Sequence, residues 1–198
     1  MTYENFRFRK KDHIEAHLSN VVHSSFISDK LIGWTMKPYH EKHALIFSGN
    51  VGNGKTYFAA AYYNSLIEQK KNVRVYDEAH LLNEIRLSWE KPGESQTYRI
   101  NLITDAEYLI LDDFGSTGAF LDKFSSSPRL GMSDNDKKIL EEVLNARLEK
   151  DLPFLITTNF SEKYLTSFFS PRIISRLFAA ENTVVEINIS DRRKNTNF

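Results

Sequence analysis

Apolar and polar residues are arranged along this chain in blocks that predict strands and helices in alternation. Five short apolar runs have the length and composition of buried strands, and segments with helical spacing of apolar residues separate several of them. The predicted strands are 45–48, 73–76, 108–112, 154–158 and 184–189, and the predicted helices are 57–69, 79–89, 136–149 and 170–178, with a turn at 164–169. This alternation predicts an α/β fold in three layers, with a five-stranded parallel sheet covered by helices on both faces.

A glycine-rich segment lies between the first predicted strand and the first predicted helix. Residues 49–56 read Gly-Asn-Val-Gly-Asn-Gly-Lys-Thr, which is a complete G-x-x-x-x-G-K-[ST] phosphate-binding loop. Its glycines allow backbone conformations in which successive N–H groups converge on a phosphate at the positive end of the helix. Lys55 supplies a charge for the β- and γ-phosphates, and the Thr56 hydroxyl is a Mg²⁺ ligand. The predicted nucleotide-binding residues are Gly49, Asn50, Val51, Gly52, Asn53, Gly54, Lys55, Thr56 and Tyr57.

Two later strands end in polar side chains that complete such a site. The strand 108–112 ends in Asp112 and is followed by Asp113, which is the form of a Walker B sequence. Asp112 is predicted to hold the metal with Thr56, and Asp113 to orient or deprotonate the attacking water. The strand 154–158 is followed by Asn159, which in a strand beside the Walker B strand would point at the γ-phosphate. By itself, an asparagine at position 159 is more typical of a turn than of a catalytic site.

Composition limits the remaining possibilities. With 198 residues, the chain has the length of one three-layer domain of ordinary size, and we expect one such domain. The 26 basic and 26 acidic residues cancel, so any contact with nucleic acid must come from local patches. The chain has no cysteine, which fits a reducing cytoplasm, and the sequence has no apolar run of membrane-spanning length, so we expect no membrane partner.

The combined motifs resemble those of one family. Beside the phosphate loop and Leu-Ile-Leu-Asp-Asp-Phe-Gly at 109–115, the sequence contains Leu-Leu-Asn-Glu-Ile-Arg at 81–86, Leu-Asn-Ala-Arg at 144–147, Ile-Thr-Thr-Asn-Phe at 156–160 and Arg-Ile-Ile-Ser-Arg-Leu at 172–177. In this order, over residues 44–190, the set resembles the AAA+ module of bacterial and phage replicative helicase loaders of the DnaC and DnaI type. The combination is more specific than any single motif.

The resemblance implies an ATPase that binds ATP or ADP with Mg²⁺ and assembles through its nucleotide sites. It implies that Asn159 is the sensor 1 residue and that Arg176 is an arginine finger offered to a neighbouring subunit, with Arg172 as the next candidate. The implied partners are a DnaB-type replicative helicase, single-stranded DNA and further copies of the chain. The implied location is the cytoplasm of a bacterium or of a phage-infected host.

Three departures from the family pattern affect the expected domain organisation. We expect an N-terminal arm at 1–43, shorter than the separate helicase-binding domain of the family, an ATPase core at 44–190 and a basic tail at 191–198. Because the chain stops soon after its last predicted strand, we expect no helical lid domain. Arg192 and Arg193 in the tail are either a solvated segment or a further contact to the site. The insertion at 116–135 is longer than expected and is either a contact for a partner or DNA or a mobile, uncommitted insertion.

Two other functions fit the same motifs. Transposition helper ATPases of the IstB type have nearly all of them, and the sequence does not separate the two kinds of client. A nucleotide-gated binding module or inhibitor that docks on a helicase and hardly turns over ATP is the second alternative.

Overall fold

A computed structural model describes residues 44–87, 95–116, 119–120, 129–130 and 132–187 of the chain. The predicted arm at 1–43, the predicted tail at 191–198 and much of the insertion therefore lie outside the described residues, as do Arg192 and Arg193.

The core of the described chain is a five-stranded parallel sheet. Its strands are β1 (Ala44–Ser48), β2 (Val73–Asp77), β3 (Tyr108–Asp112), β6 (Phe154–Thr158) and β7 (Thr183–Glu186). They lie in the order β2-β3-β6-β1-β7, and the registered pairs are parallel throughout. Two short strands, β4 (Ala119–Phe120) and β5 (Arg129–Leu130), pair antiparallel inside the predicted insertion.

Six helices connect or cover these strands within the described ranges. They are α1 (Lys55–Glu68), α2 (Glu78–Leu87), α3 (Gln96–Thr104), α4 (Asp134–Glu149), α5 (Glu162–Leu165) and α6 (Pro171–Leu177). Several begin at a serine that caps the helix: the side chains of Ser95, Ser133 and Ser161 each accept a hydrogen bond from the backbone N–H three residues later. None of the helices in the part of the chain described here is long and apolar enough to cross a membrane.

The central strands are buried on both faces, as expected for a parallel sheet between two helical layers. In β1, Leu45 and Phe47 pack into one apolar cluster with Phe58 of α1. Ala44 and Ile46 of the same strand face the opposite cluster, which contains the buried residues of α2, α3, α4 and α6. The predicted three-layer α/β fold with a five-stranded parallel sheet is therefore confirmed.

The boundaries of the predicted elements differ from the observed ones by a few residues, and one helix was missed. No helix was predicted over Gln96–Thr104, where α3 follows its capping residue Ser95. The turn predicted at 164–169 overlaps the short helix α5, and α4 begins at Asp134, two residues earlier than predicted. The paired strands β4 and β5 lie within a segment that was predicted as a loop.

Candidate functional site

The glycine-rich segment forms a loop between the end of β1 and the beginning of α1. Gly49, Gly52 and Gly54 have φ angles of 138°, 81° and 95°, in the region that favours glycine. Because α1 begins at Lys55, the loop leads directly into the N-terminus of a 14-residue helix. A helix N-terminus approached by such a loop is suited to bind an anion, so the local geometry fits the predicted phosphate site.

The loop is also tied to the end of strand β7. The fully buried Asn53 side chain donates a hydrogen bond to the carbonyl oxygen of Ile187, and the Ile187 N–H donates to the Ser48 oxygen at 2.8 Å. A Cβ atom on Gly49 would overlap this Ile187 carbonyl oxygen and the Asn53 amide nitrogen. Gly49 is therefore required by close packing as well as by its backbone angle.

Lys55 is turned back onto its own loop. Its Nζ donates to the carbonyl oxygens of Gly49 at 2.7 Å and Asn50 at 2.8 Å, and to Asn53 Oδ1 at 3.0 Å. Burial lowers the pKa of the Lys55 ammonium, while the negative charges of Asp113 and Asp112 act in the opposite direction. Phosphate oxygens beside this ammonium group would supply further negative charge to a lysine that is only 5% exposed.

The two predicted metal ligands lie within reach of each other. Thr56, in the first turn of α1, donates a hydrogen bond from Oγ1 to Oδ1 of Asp112 at 3.3 Å. Asp112 is the last residue of β3 and is 8% exposed. A hydroxyl and a carboxylate are the hard oxygen ligands that Mg²⁺ prefers, so these residues fit the metal that the sequence implies.

Asp113 and Asn159 are brought together by neighbouring strands. β3 and β6 are adjacent, and each of these residues directly follows the end of its strand. Asn159 Nδ2 donates to Asp113 Oδ1 at 2.8 Å. Asp113 is exposed and has a φ angle of 57°, an unusual backbone conformation for a residue other than glycine. Asn159 therefore follows a strand that lies beside the Walker B strand, whereas the roles of both side chains stay predictions.

Sequence reasoning missed a contribution from Thr157. Its hydroxyl donates to Asp112 Oδ1 and accepts a hydrogen bond from the Asp113 backbone N–H at 2.9 Å. The available signal was a hydroxyl at the end of an otherwise apolar strand, next to a strand that ends in two acids. Nothing in the sequence shows which way that hydroxyl points.

The predicted finger arginines lie on α6, at a different place in the chain's own fold. Arg176 donates from Nη1 to Asn145 Oδ1 at 2.9 Å and lies 3.8 Å from Glu149 Oε1, and both partners are on α4. Arg172 is exposed, one turn earlier on the same helix. The contacts described for Arg176 are with α4 of its own subunit, and none of them involves the phosphate loop.

Two other predicted nucleotide contacts differ in their surroundings. Val51 at the tip of the loop is 55% exposed, and the backbone of Tyr57 lies in the first turn of α1.

A cavity of about 330 Å³ opens beside the loop and the Asp113–Asn159 pair. It is lined by Ser48, Gly49, Asn50, Asn159, Phe160, Ser161, Tyr164 and Glu186.

The strand order and the position of this loop at the carboxyl edge of the sheet define a three-layer α/β P-loop fold. Three solved structures have this fold at low sequence identity. The DnaC helicase loader gives a TM-score of 0.65 at 19% identity, covering 83% of this chain and 89% of that one. DnaI gives 0.63 at 21%, covering 98% and 94%, and AMPPCP-bound DnaA from Aquifex aeolicus gives 0.60 at 17%, covering 76% and 43%.

Sequence comparison points to the same group of proteins. Over 134 residues, or 68% of this chain, the sequence is 23% identical to the replicative helicase loader DnaC of Escherichia coli strain K12. It is 22% identical over 149 residues to the uncharacterized protein YdaV of that strain, covering 75% of this chain and 54% of YdaV. The match spans 49% of DnaC, about half its length, and no protein-family model matches. The predicted resemblance to helicase loaders of the DnaC and DnaI type is confirmed.

Proposed function

We propose that this protein is an ATP-dependent helicase loader. In this proposal, residues 44–190 are an ATPase core that oligomerises on ATP and delivers or remodels a DnaB-type replicative helicase on single-stranded DNA during replication. The observation that carries the proposal is the meeting of Lys55, Thr56, Asp112, Asp113 and Asn159 at one edge of the sheet, in a chain similar to DnaC. The protein would act in the cytoplasm of a bacterium or of a phage-infected host.

Nucleotide binding would use the loop and its lysine. Lys55 exchanges the carbonyl oxygens of Gly49 and Asn50 for the β- and γ-phosphate oxygens of ATP, and the loop N–H groups donate to the same phosphates. Thr56 and Asp112 would hold Mg²⁺, which neutralises charge on the phosphates when it is bound. The DnaA relative of this fold bound to AMPPCP supports ATP as the ligand class.

Hydrolysis would depend on the pair of side chains beyond the two strands. Asp113 accepts a hydrogen bond from the attacking water, and the Asn159 amide, which is 2.8 Å from Asp113, holds that water in line with the γ-phosphorus. The water oxygen bonds to the γ-phosphorus as the bond from that phosphorus to the bridging oxygen breaks; ADP leaves with the electron pair, and the proton of the water passes to Asp113 or to the product phosphate. We expect slow turnover by the isolated subunit, because Lys55 is the one positively charged side chain among the contacts described for the site.

The additional charge would come from a neighbouring subunit. Arg176 is held on α6 by Asn145 and Glu149 with its side chain 31% exposed, so a second copy could receive it at its own phosphate loop. Arg172, exposed on the same helix, is the alternative finger. Hydrolysis would remove the γ-phosphate that the finger contacts and thereby weaken the assembly.

The client is proposed from similarity. The relative matched over 68% of this chain is a replicative helicase loader, and a DnaA structure of the same fold contains single-stranded DNA. Because the match covers 49% of that loader, helicase binding by this chain is a proposal and not an inherited property.

Mixing two inactive variants tests the ATPase and its assembly together. Lys55→Ala removes the phosphate lysine but retains Arg176, whereas Arg176→Ala retains the loop but lacks the finger. Each variant alone should produce little ADP. In an equal mixture with random head-to-tail association, about a quarter of the interfaces pair an intact loop with an intact finger, so about a quarter of the wild-type rate should return.

Several outcomes of this mixing experiment are informative. No recovery of ADP production in the mixture would contradict a finger in trans from Arg176, and the same mixture with Arg172→Ala then examines the alternative arginine. ATP binding without measurable turnover by the wild-type protein would favour the nucleotide-gated binding module. Recovery of activity together with capture of a transposase instead of a helicase would favour the IstB type of function.

A further inference from the structure

We propose that Thr157 is a positioning residue that sets the geometry of both acidic groups of the site through one hydroxyl. The inference rests on the proposed function, since it assigns Thr157 a role toward the Mg²⁺–nucleotide site. Thr157 is the fourth residue of β6 and lies two positions before Asn159. It is 1% exposed, so water cannot easily replace its hydrogen bonds.

The Thr157 hydroxyl makes two hydrogen bonds, one in which it donates and one in which it accepts. A threonine hydroxyl has one proton and two lone pairs. The Asp113 backbone N–H donates to it at 2.9 Å, which uses a lone pair, and its own proton points to Asp112 Oδ1. One oxygen atom therefore contacts the backbone of the predicted water-orienting residue and the carboxylate of the predicted metal ligand.

The acceptor on Asp112 is the same oxygen atom that faces α1. Oδ1 accepts from the Thr157 hydroxyl and also from Thr56 Oγ1 at 3.3 Å. Two hydroxyl groups are therefore directed at one oxygen atom of the carboxyl group that would hold the metal. Thr157 thus fixes the orientation of the Asp112 carboxylate from the side of β6, while Thr56 approaches it from α1.

Thr157 also supports the strained turn that carries Asp113. The regular pairing between β3 and β6 ends with Leu111 opposite Ile156. Beyond that pair, the Thr157 side chain holds the Asp113 N–H, and the Thr157 carbonyl oxygen accepts from the Phe114 N–H at 2.8 Å. Two consecutive N–H groups are therefore bound by one residue at the point where φ becomes 57° at Asp113.

The next residue provides a matched control. Thr158 is 0% exposed, and its hydroxyl also makes two hydrogen bonds, donating to the Phe114 oxygen at 2.7 Å and accepting from the Phe160 N–H at 3.2 Å. Both of these partners are backbone groups, and neither is a carboxylate. Substitution of Thr158 therefore removes a comparable pair of buried hydrogen bonds without touching Asp112 or Asp113.

The experiment compares Thr157→Val, Thr157→Ser and Thr158→Val with the wild-type protein. The readout is the affinity for a fluorescent ATP analogue, titrated at several Mg²⁺ concentrations and in EDTA, which requires no turnover. Thr157→Val should raise by about 10-fold or more the Mg²⁺ concentration at which half of the gain in nucleotide affinity is reached, because groups that orient metal ligands typically contribute 10–100-fold to metal affinity. Thr157→Ser keeps the hydroxyl, so its required Mg²⁺ concentration should be close to that of the wild-type protein.

The thermal unfolding midpoint of each variant separates this role from a purely structural one. The expected result is that Thr157→Val and Thr158→Val unfold at similarly lowered temperatures, but only Thr157→Val changes the Mg²⁺ dependence of nucleotide affinity. Equal effects of both variants on that dependence, or failure of Thr157→Ser to restore it, would overturn the role of Thr157 while the ATPase proposal stands. Absence of any Mg²⁺-dependent nucleotide binding by the wild-type protein would instead overturn the proposed function and this inference together.

Discussion

Replacement of the buried Arg147 should lower the free energy of unfolding more than replacement of the exposed Lys150, which directly follows α4. Arg147 is 0% exposed, near the end of α4. Its guanidinium donates to the carbonyl oxygens of Thr104 at 2.8 Å and Glu107 at 3.3 Å, and also to those of Ala106 and Pro153. One side chain therefore joins the end of α3, the segment before β3 and the segment before β6.

The magnitude follows from these contacts. Arg147→Met keeps an unbranched side chain but removes every donor to the four carbonyl groups. Hydrogen bonds to charged groups contribute about 1.5–3 kcal/mol each, and relief of the buried charge offsets part of that, so we expect a loss of about 3–5 kcal/mol. For a chain of this size, each kcal/mol lowers the unfolding temperature by about 2–4 °C, which gives a decrease of roughly 6–20 °C.

Urea unfolding followed by circular dichroism measures this loss, with two further variants for comparison. Arg147→Lys keeps the charge but not the planar set of donors, so its stability should lie between those of the wild-type protein and Arg147→Met. Lys150→Met removes an ion pair with Asp105, at 40% and 60% side-chain exposure, and should cost at most about 1 kcal/mol. A loss from Arg147→Met no larger than that from Lys150→Met would refute the reasoning.

Three further predictions concern the loop, a buried phenol and a buried carboxylate. Gly49→Ala should lower stability by at least about 2 kcal/mol in thermal unfolding, because the φ of 138° disfavours alanine and a Cβ would overlap the Ile187 oxygen; an unchanged midpoint would contradict this. Burial, followed by the charge of Glu84 and a hydrogen bond with it, raises the pKa of Tyr76 from 10.0 to about 12, so the unfolded state loses this proton first and stability should fall as pH rises through that window. The difference in urea midpoint between about pH 9 and about pH 11 should therefore be smaller in Tyr76→Phe, and an equal difference would count against this explanation. Glu78, 1% exposed at the start of α2, accepts from the Gly115 N–H, and Glu78→Gln should cost about 1–3 kcal/mol in urea unfolding, whereas a neutral result would show that the charge contributes nothing.

The three central strands of the sheet were predictable because they are buried on both faces and therefore appear as largely apolar runs. The phosphate loop was equally predictable, since its glycines, lysine and threonine lie within eight consecutive residues, 49–56. The meeting of Asp113 with Asn159 could be anticipated because both residues follow strands whose carboxyl ends share one edge. In each of these cases, local sequence and sheet geometry are sufficient.

Features that depend on tertiary contact were not predictable. The first four residues of helix α3 are largely polar or exposed. The helix packs against the core through Ile100 and Ile103. Arg147 was part of a recognised motif, but its partners are carbonyl oxygens, which have no sequence signature. Thr157 lies inside a predicted strand, and only the neighbouring turn shows that its hydroxyl faces two acidic residues.

The most direct test of the central claim is the amount of replicative helicase retained from native extract by immobilised Asp113→Asn protein in the presence and absence of ATP. This variant should bind ATP and hydrolyse it poorly, because Asp113 follows the strand that ends in the predicted metal ligand and contacts Asn159. The account predicts retention of a DnaB-type helicase with ATP, and little retention without ATP or by Lys55→Ala in its presence. Equal retention with and without ATP, or retention of no helicase at all, would contradict an ATP-dependent helicase loader.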